Sequence, residues 1–590
     1  MINYALKKQN KPKETGPRTW IAVILLAVFA CLNIFSMLQE SPTSDETPHL
    51  TAGYSYLLTG DYRLNPEHPP LIKLLAALPL LALNLDFNKD HPSWFKGEEW
   101  SFGEEFMYNN KTSVRTIIFL GRLPIVLIAV LLGLLVFKWS KELYGENAGL
   151  LALLFYVFSP NIIANSHLVT FDIGITFFTL LSLYGFYHFL IYPSNRNILF
   201  SGLALGLALS TKFSAINIFP MYLLLGLIYF IKEKKAVSLA KYLTAFCLLL
   251  LISVSVILII YRITNIGHYF DGLKFISGIV SKTGMPAFLL GKYSSTGWWY
   301  YFIVAFLLKT QLPLTIFIIA TLIYSIIKKK MTTREYFLLI PAALFFAVAS
   351  IGKMQLGIRY ILPVYPFIFI LAGKIVNINA KKPLKYFCIA LTLWYILSAL
   401  IVFPHYLSYF NELSGGPKNG YKYLIDSNVD WGQDLPGLKK LLEKEGNPEI
   451  ILSFFGSAAP GSYGIEYQDF YSYNASGRNE AHINSLYPVK ELFAISANTL
   501  QCLFFSDKST FNWLKKRTPV AFIGNSIFVY DITADAYTHL ILGICYLNNR
   551  FTEKAEREFK RASIIAPDMA EPKQYLEIID KQTGKSDNVR

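Results

Sequence analysis

Apolar runs close to the length that crosses a bilayer, about 20 residues, recur from Trp20 to Phe403. Such runs are expected to be membrane-spanning helices, and their number sets the architecture of most of the chain. Composition agrees. Hydrophobic residues make up 53% and charged residues 16%, against about 45–50% and about 25% in ordinary soluble domains. The formal charge of +15 does not form one basic face of the kind that binds nucleic acid. Most Lys and Arg fall in short clusters between the apolar runs, as in the loops of a multi-pass membrane protein. Five cysteines, Cys31, Cys247, Cys388, Cys502 and Cys545, are widely spaced. Their spacing suits neither a metal site nor a disulfide framework.

The pattern predicts about eleven spans, near 19–38, 116–138, 147–160, 172–192, 197–211, 214–232, 239–261, 300–327, 336–351, 359–378 and 384–404. The basic N-terminus (Lys7, Lys8, Lys11, Lys13, Arg18) runs into an apolar stretch too long for a signal peptide, so the first run reads as an uncleaved anchor. Lys138 and Lys141, then Lys232, Lys234 and Lys235, then Lys328 to Lys330, then Lys374, Lys381 and Lys382 alternate with loops poorer in positive charge. Placing these clusters and the N-terminus in the cytoplasm obeys the positive-inside tendency. Loops 39–115, 161–171, 262–299 and 352–358, and everything after Pro404, then face outward. The expected location is the cell (inner) membrane. The loop 39–115 carries Pro66, Pro69, Pro70 and Pro79, which suits short surface helices better than a further span.

Three regions follow: a transmembrane domain over 1–404, an extracytoplasmic α/β domain over 405–535, and a helical hairpin with a tail over 536–590. In the second, Ile450–Phe455 and Val520–Tyr530 read as buried strands and Leu435–Glu445 as a helix. In the third, Leu542, Gly543, Tyr546, Ala555, Phe559, Ala562 and Pro567 sit at the offsets of one tetratricopeptide unit. A single repeat cannot bury its own face, so it should pack on the preceding domain or on a protein partner.

The polar residues concentrate on the outward side. Asp45 and Glu46 follow the first span, with His49 one helical turn on; Glu67, His68 and Lys73 lie among prolines that preset the backbone. Asp172 opens a span, where a carboxylate also suits the helix N-terminus. Arg122 lies inside a span, Lys212 between two, and Lys353 and Arg359 flank an outward turn. Charges at membrane depth are costly and usually face a cavity or a partner. Each acid alone also reads as a cap or a solvated loop charge, and Lys353 and Arg359 as snorkelling side chains. Together, cations would hold a leaving phosphate and a carboxylate would take a proton from an attacking hydroxyl.

The run from Asp45-Glu46 through Glu67-His68-Pro69-Pro70-Leu71 to Lys73 resembles the first loop of protein O-mannosyltransferases and of the lipid A aminoarabinose transferase. These are GT-C membrane glycosyltransferases. Leu356-Gly357-Ile358-Arg359-Tyr360 resembles a late-span segment of bacterial members. The resemblance covers roughly 15–404 and implies an enzyme that takes a sugar from a polyprenyl-phosphate donor. Transfer would go to a lipid or protein acceptor by an inverting displacement. It implies Asp45 as general base with Glu46 as neighbour or substitute, and His68, Lys73, Arg359, Lys353 and Arg122 around the donor phosphate. His49, Glu67 and Asp172 would contact substrate. His68 stands where the aminoarabinose enzyme carries a Lys. No cofactor is required, and the acid-rich outer loop leaves a divalent cation open.

Two other classes compete. A lipid-linked sugar transporter or flippase should show a pseudo-repeat with interrupted spans near the midplane, and none is visible. A membrane-anchored interaction scaffold would leave Asp45, Glu46, His68 and Lys73 without a purpose. The segments Tyr409-Phe410-Asn411-Glu412-Leu413 and Asp430-Trp431-Gly432-Gln433-Asp434-Leu435 resemble a stretch after the spans in bacterial relatives, and read as a structural junction.

Overall fold

The computed structural model describes residues 18–233, 239–282, 284–328, 331–378, 381–472, 480–481 and 485–583. The basic residues Lys7, Lys8, Lys11, Lys13, Lys234, Lys235, Lys329 and Lys330, and the tail 584–590, lie outside them. The chain forms two compact units, Met1–Trp431 and Gly432–Arg590. Residues 405–431 therefore count with the helical unit.

Each apolar run is helical. Among the described residues, seven helices are long and apolar enough to cross a membrane: Thr19–Met37, Val114–Tyr144, Phe171–Ile191, Phe213–Glu233, Tyr242–Ile260, Thr333–Ile351 and Lys382–Val402. An eighth candidate is the pair Tyr301–Lys309 and Leu312–Ile327, bent by 112°. The other three runs expected as spans are shorter helices, Glu146–Val157, Asn195–Leu209 and Val364–Gly373. Their limits have local causes. Pro160 opens a separate helix, and Pro363 caps Val364–Gly373 because a proline nitrogen cannot extend a helix backwards. The first unit is a polytopic helical membrane protein.

The 112° bend follows the same chemistry. Pro313 in the first turn of the second helix has no N–H to offer Lys309 O, which accepts from the Asn161 side-chain amide at 2.7 Å instead. Asn411 serves other carbonyls at the break, donating its side-chain amide to Leu307 O at 2.6 Å and Thr310 O at 2.7 Å and its backbone N–H to Leu308 O at 2.9 Å. Buried Lys309 donates to the carbonyls of Leu407 (2.8 Å) and Asn428. These bonds tie 405–431 to the broken helix.

The proline-rich loop forms short helices, Glu46–Thr59, Leu71–Ala77, Pro92–Lys96 and Glu99–Tyr108. Gly53 lets the first of these lie directly on the second, since a Cβ there would stand 2.0 Å from Lys73 O. At the far end of Val114–Tyr144 a different set of charges gathers. Lys141 pairs with Glu146, Lys374 with Glu335 at 2.6 Å, and Tyr144 also donates to Glu335. Arg122 lies some 22 residues before Tyr144 on that helix, about 30 Å away at 1.5 Å per residue.

The second unit is a five-stranded mixed sheet in the order 468–469, 449–453, 491–496, 527–531, 521–523. Helix Leu435–Lys444 buries Leu435, Leu438 and Leu442 in the core with Ile450, Leu452 and Val529. The run Val520–Tyr530, expected as one strand, is a hairpin of Ala521–Ile523 and Ile527–Asp531. It turns at Gly524 and Asn525, which both have positive φ, a conformation these two residue types tolerate best. The sequence reading did not single out strand Glu491–Ser496, which is central to the sheet.

The terminal helices Ala536–Asn548 and Thr552–Ile565 cross where Gly543 meets the Phe559 ring. Tyr546 packs on the sheet, donating to Asp469 O at 2.9 Å. Arg557 joins Glu491 and Glu558, each at 2.6 Å.

Candidate active site

Four elements bring charged side chains to one place, each at or near the end of a helix or turn. Asp45 precedes helix Glu46–Thr59, Asp172 lies in the first turn of Phe171–Ile191, Lys212 follows Asn195–Leu209, and Arg359 lies in the turn Ile358–Ile361. Asp45 Oδ2 is 3.2 Å from Arg359 Nη1, and that nitrogen is 3.8 Å from Asp172 Oδ2. The other Asp172 oxygen is 2.8 Å from Lys212 Nζ. The result is an alternating chain of acid, base, acid and base. Asp45 is its exposed end, with 28% of its side chain accessible, while Asp172 is 2% accessible. Burial works against the charge on Arg359, but Asp45 and Asp172 outweigh it and hold the guanidinium firmly protonated. Its Nε is buried and has no hydrogen-bond partner among the described residues.

Glu46 and Arg122 do not join this chain; the structure pairs them with each other. Arg122 donates Nε to Glu46 Oε1 at 2.9 Å and Nη2 to Oε2 at 2.6 Å. Its remaining donors reach Met37 O and Ser41 O. Glu46 also accepts from the backbone N–H of Val169 and from both the N–H and hydroxyl of Thr43. Burial alone would raise its pKa, but Arg122 and those donors bring it below the ordinary value. Beside them Glu40 accepts from His167, which also touches Asn33. The sequence reading singled out neither Glu40 nor His167. A His six residues after Asn161 in the short outward loop was the available signal for His167.

Lys73 is also fully engaged. Its ammonium donates to the carbonyls of Asn65 and His68 (2.9 Å for the latter) and lies 3.4 Å from the Tyr56 hydroxyl. It thus ties the proline-rich turn to its own helix. Burial depresses its pKa to about 7, with Glu99 and Glu67 opposing. His68 packs edge-on to Phe171, and burial together with Lys212, His49, Lys73 and Arg359 keeps it neutral. Its Nδ1 is buried and has no hydrogen-bond partner among the described residues. His49 sits on the other side of the same story: Nδ1 donates to Val169 O at 2.8 Å, its ring meets Phe171, and burial lowers its pKa to about 4. At neutral pH neither histidine is a cation.

Glu67 is an acid held well above its ordinary pKa. Burial first, then the charges of Glu99 and Asp45, push its pKa to about 7 against the pull of Lys73 and Arg359. Glu99, not foreseen from sequence, accepts from Asn65 at 3.0 Å, and burial raises its pKa too. Lys353 lies beside Gly284. Trp431 and Asp426 were likewise not foreseen as site residues. The Trp431 ring lies under Arg359, 4.1 Å from guanidinium carbon to ring centroid, and burial raises the Asp426 pKa to about 6 against the pull of Arg359. Among the described residues the acid–histidine group spaced like metal ligands is Glu491, His539 and Glu558 in the second unit. Arg557 already supplies a positive charge there.

Chemically, the first-unit site offers a partly exposed carboxylate, a protonated guanidinium against it, and a second acid–base pair behind. The family model described as dolichyl-phosphate-mannose-protein mannosyltransferase matches residues 115–260. No curated protein matches the chain by sequence. Solved structures similar to it include ArnT from Cupriavidus metallidurans in the apo state, 14% identical over 86% of this chain and 97% of that one, with a TM-score of 0.43. The same protein bound to undecaprenyl phosphate is 14% identical over 88% and 99%, with a TM-score of 0.44. The oligosaccharyltransferase AglB from Archaeoglobus fulgidus, in complex with an inhibitory peptide and a dolichol-phosphate, is 13% identical over 76% and 64%, also with a TM-score of 0.44. The likeness to the dolichyl-phosphate-mannose-protein mannosyltransferase family extends over residues 115–260, alongside the resemblance carried by the first loop.

Proposed function

We propose that this protein is a GT-C membrane glycosyltransferase that moves a sugar from a polyprenyl-phosphate donor to a lipid or protein acceptor on the outer face of the cell membrane. One observation carries the reading: Asp45 presents a partly exposed carboxylate 3.2 Å from Arg359. The acceptor hydroxyl gives its proton to Asp45 as its oxygen attacks the anomeric carbon. The bond from that carbon to the phosphate oxygen breaks, its electron pair leaves with the phosphate, and the configuration inverts. Arg359 takes the charge developing on the phosphate oxygens, a role suited to a planar, always-protonated donor. Asp172 holds Arg359 and Lys212 in place. Glu46 and Arg122 brace the loop that presents Asp45.

In this reading Arg359 and Lys212 supply the positive charge, and a divalent cation is not needed. Loss of transfer on adding a chelator would revise that point. The family match over 115–260 supports a glycosyltransferase over a transporter. The packing of the terminal hairpin on the sheet favours its role in closing the second unit over that of a tetratricopeptide-like docking module. The proposed orientation puts the N-terminus in the cytoplasm and residues 405–590 outside. A reporter fused after Pro404 that is active only in the cytoplasm would overturn it.

The deciding experiment is mass spectrometry of glycolipids and glycoproteins from cells with the chain, without it, and with Asp45→Asn. A glycan present only with the unaltered chain is expected. It also names the sugar and the acceptor. A full signal from the variant would remove Asp45 as the base.

A further inference from the structure

The segment from Asp426 to Trp431 follows the last span, and none of its residues takes part in the reaction as proposed. Yet it touches both sides of the working ion pair. The Trp431 carbonyl accepts the N–H of Ser44 at 2.9 Å, one residue before Asp45. The Arg359 guanidinium carbon lies over the Trp431 ring, which is 2% exposed, 4.1 Å from the ring centroid. The rest of the segment is clamped to the strand of chain that carries Arg359. Asn428 Oδ1 accepts the N–H of Ile358 at 3.0 Å, and Ser427 donates to Leu356 O at 2.5 Å. Gly357 between them has a φ of +148°, and a Cβ there would stand 2.7 Å from the Ser427 hydroxyl. Lys309, at the break in the bent helix, donates to Asn428 O and anchors the segment from behind.

Arg359 needs such a holder. Among the described residues, only one of its nitrogens contacts Asp45, the same nitrogen faces Asp172, and its Nε has no hydrogen-bond partner. A single-nitrogen contact leaves the guanidinium plane free to rotate about it, whereas a bidentate pair such as Glu46–Arg122 does not. An indole face removes that freedom by attraction to the flat cation.

We propose that Trp431 is a positioning residue of the transfer site: its ring sets the plane of Arg359 and its carbonyl sets the turn that presents Asp45. The inference rests on the reading that Asp45 and Arg359 carry the reaction. It gives the post-span segment a part in the site beyond that of a junction. Apolar bulk alone would not serve in place of the ring, because an aliphatic side chain lacks the negative π face that draws the cation.

The test compares Trp431→Phe with Trp431→Leu in the full-length protein, by the glycan signal and by hydrogen exchange over 43–46 and 356–360. The phenylalanine variant should keep most of the signal, and the leucine variant should lose about tenfold or more, the factor expected for a desolvated cation–π contact. Exchange at both segments should quicken in the leucine variant and much less in the phenylalanine one. A leucine variant with full signal overturns the proposal. So does equal exchange in the two variants, or a lost signal with exchange unchanged, which would make the ring a substrate contact. If the unaltered protein gives no glycan signal, the transfer reading fails on its own and exchange alone decides the role of Trp431. Should the leucine variant fail to fold, Trp431→Met replaces it under the same criteria.

Discussion

Two adjacent carboxylates, each facing an arginine from a distant part of the chain, end in opposite conditions. Glu46 and Arg122 are both fully buried and meet through two parallel hydrogen bonds, and backbone and hydroxyl groups fill what remains. Asp45 and Arg359 meet through one nitrogen at 3.2 Å, with the acid partly open to solvent. The residue types are nearly the same, so the difference lies in saturation. A carboxylate with every lone pair occupied holds structure and has nothing left for a substrate proton. One held by a single contact keeps spare acceptor capacity.

Substitutions should separate the two pairs by what they damage. Asp45→Asn is expected to lower transfer by about 10²–10⁴-fold, the range for a lost general base, with thermal unfolding close to that of the unaltered protein. A large fall in unfolding temperature would mean that Asp45 is structural like its neighbour. Arg122→Met should do the reverse. Leaving Glu46 buried and unpaired costs about 3–5 kcal/mol, visible as a lower unfolding temperature and a smaller folded yield. If Arg122→Met folds normally but transfers no sugar, the buried pair belongs to the chemistry after all. Arg359→Lys keeps a charge and loses the planar fork, so a smaller loss is expected, about 10–100-fold in turnover per donor concentration. Equal activity would reduce Arg359 to a point charge.

The sequence made the helices legible because apolar length is written directly in the chain, and all eleven runs are helical. It could not separate a run that crosses from one that stops short. That depends on single prolines and on packing, as at Pro160 and Pro363. The site was partly legible. Asp45, Asp172, Lys212 and Arg359 stood out as charges next to apolar runs, and they meet. Glu46, Arg122 and Lys73 stood out for the same reason but satisfy one another or the backbone, and no local pattern reports pairing across 76 residues. Trp431 and Glu99 were hidden because their contacts are made only by the fold. The hairpin inside Val520–Tyr530 was missed although Gly524-Asn525 is an ordinary turn signal; the apolar residues on both sides dominated the reading.

Glu67 gives the smallest effect, and it sharpens the comparison because it senses one pair and not the other. Its pKa rises from an ordinary 4.5 to about 7, through burial first and then through Glu99 and Asp45. The folded protein therefore keeps a proton that the unfolded chain has released. The stability due to this group is complete below about pH 4.5 and is lost as pH rises through about 7. Glu67→Gln should flatten that decline, read as unfolding temperature between pH 4 and pH 8; an unchanged slope would show that Glu67 ionises normally. Since the Asp45 charge helps raise this pKa, Asp45→Asn should move the decline to lower pH, whereas Glu46→Gln should leave its position alone even while lowering stability at every pH. A shift with Glu46→Gln as large as that with Asp45→Asn would erase the electrical separation between the two pairs on which their different roles depend.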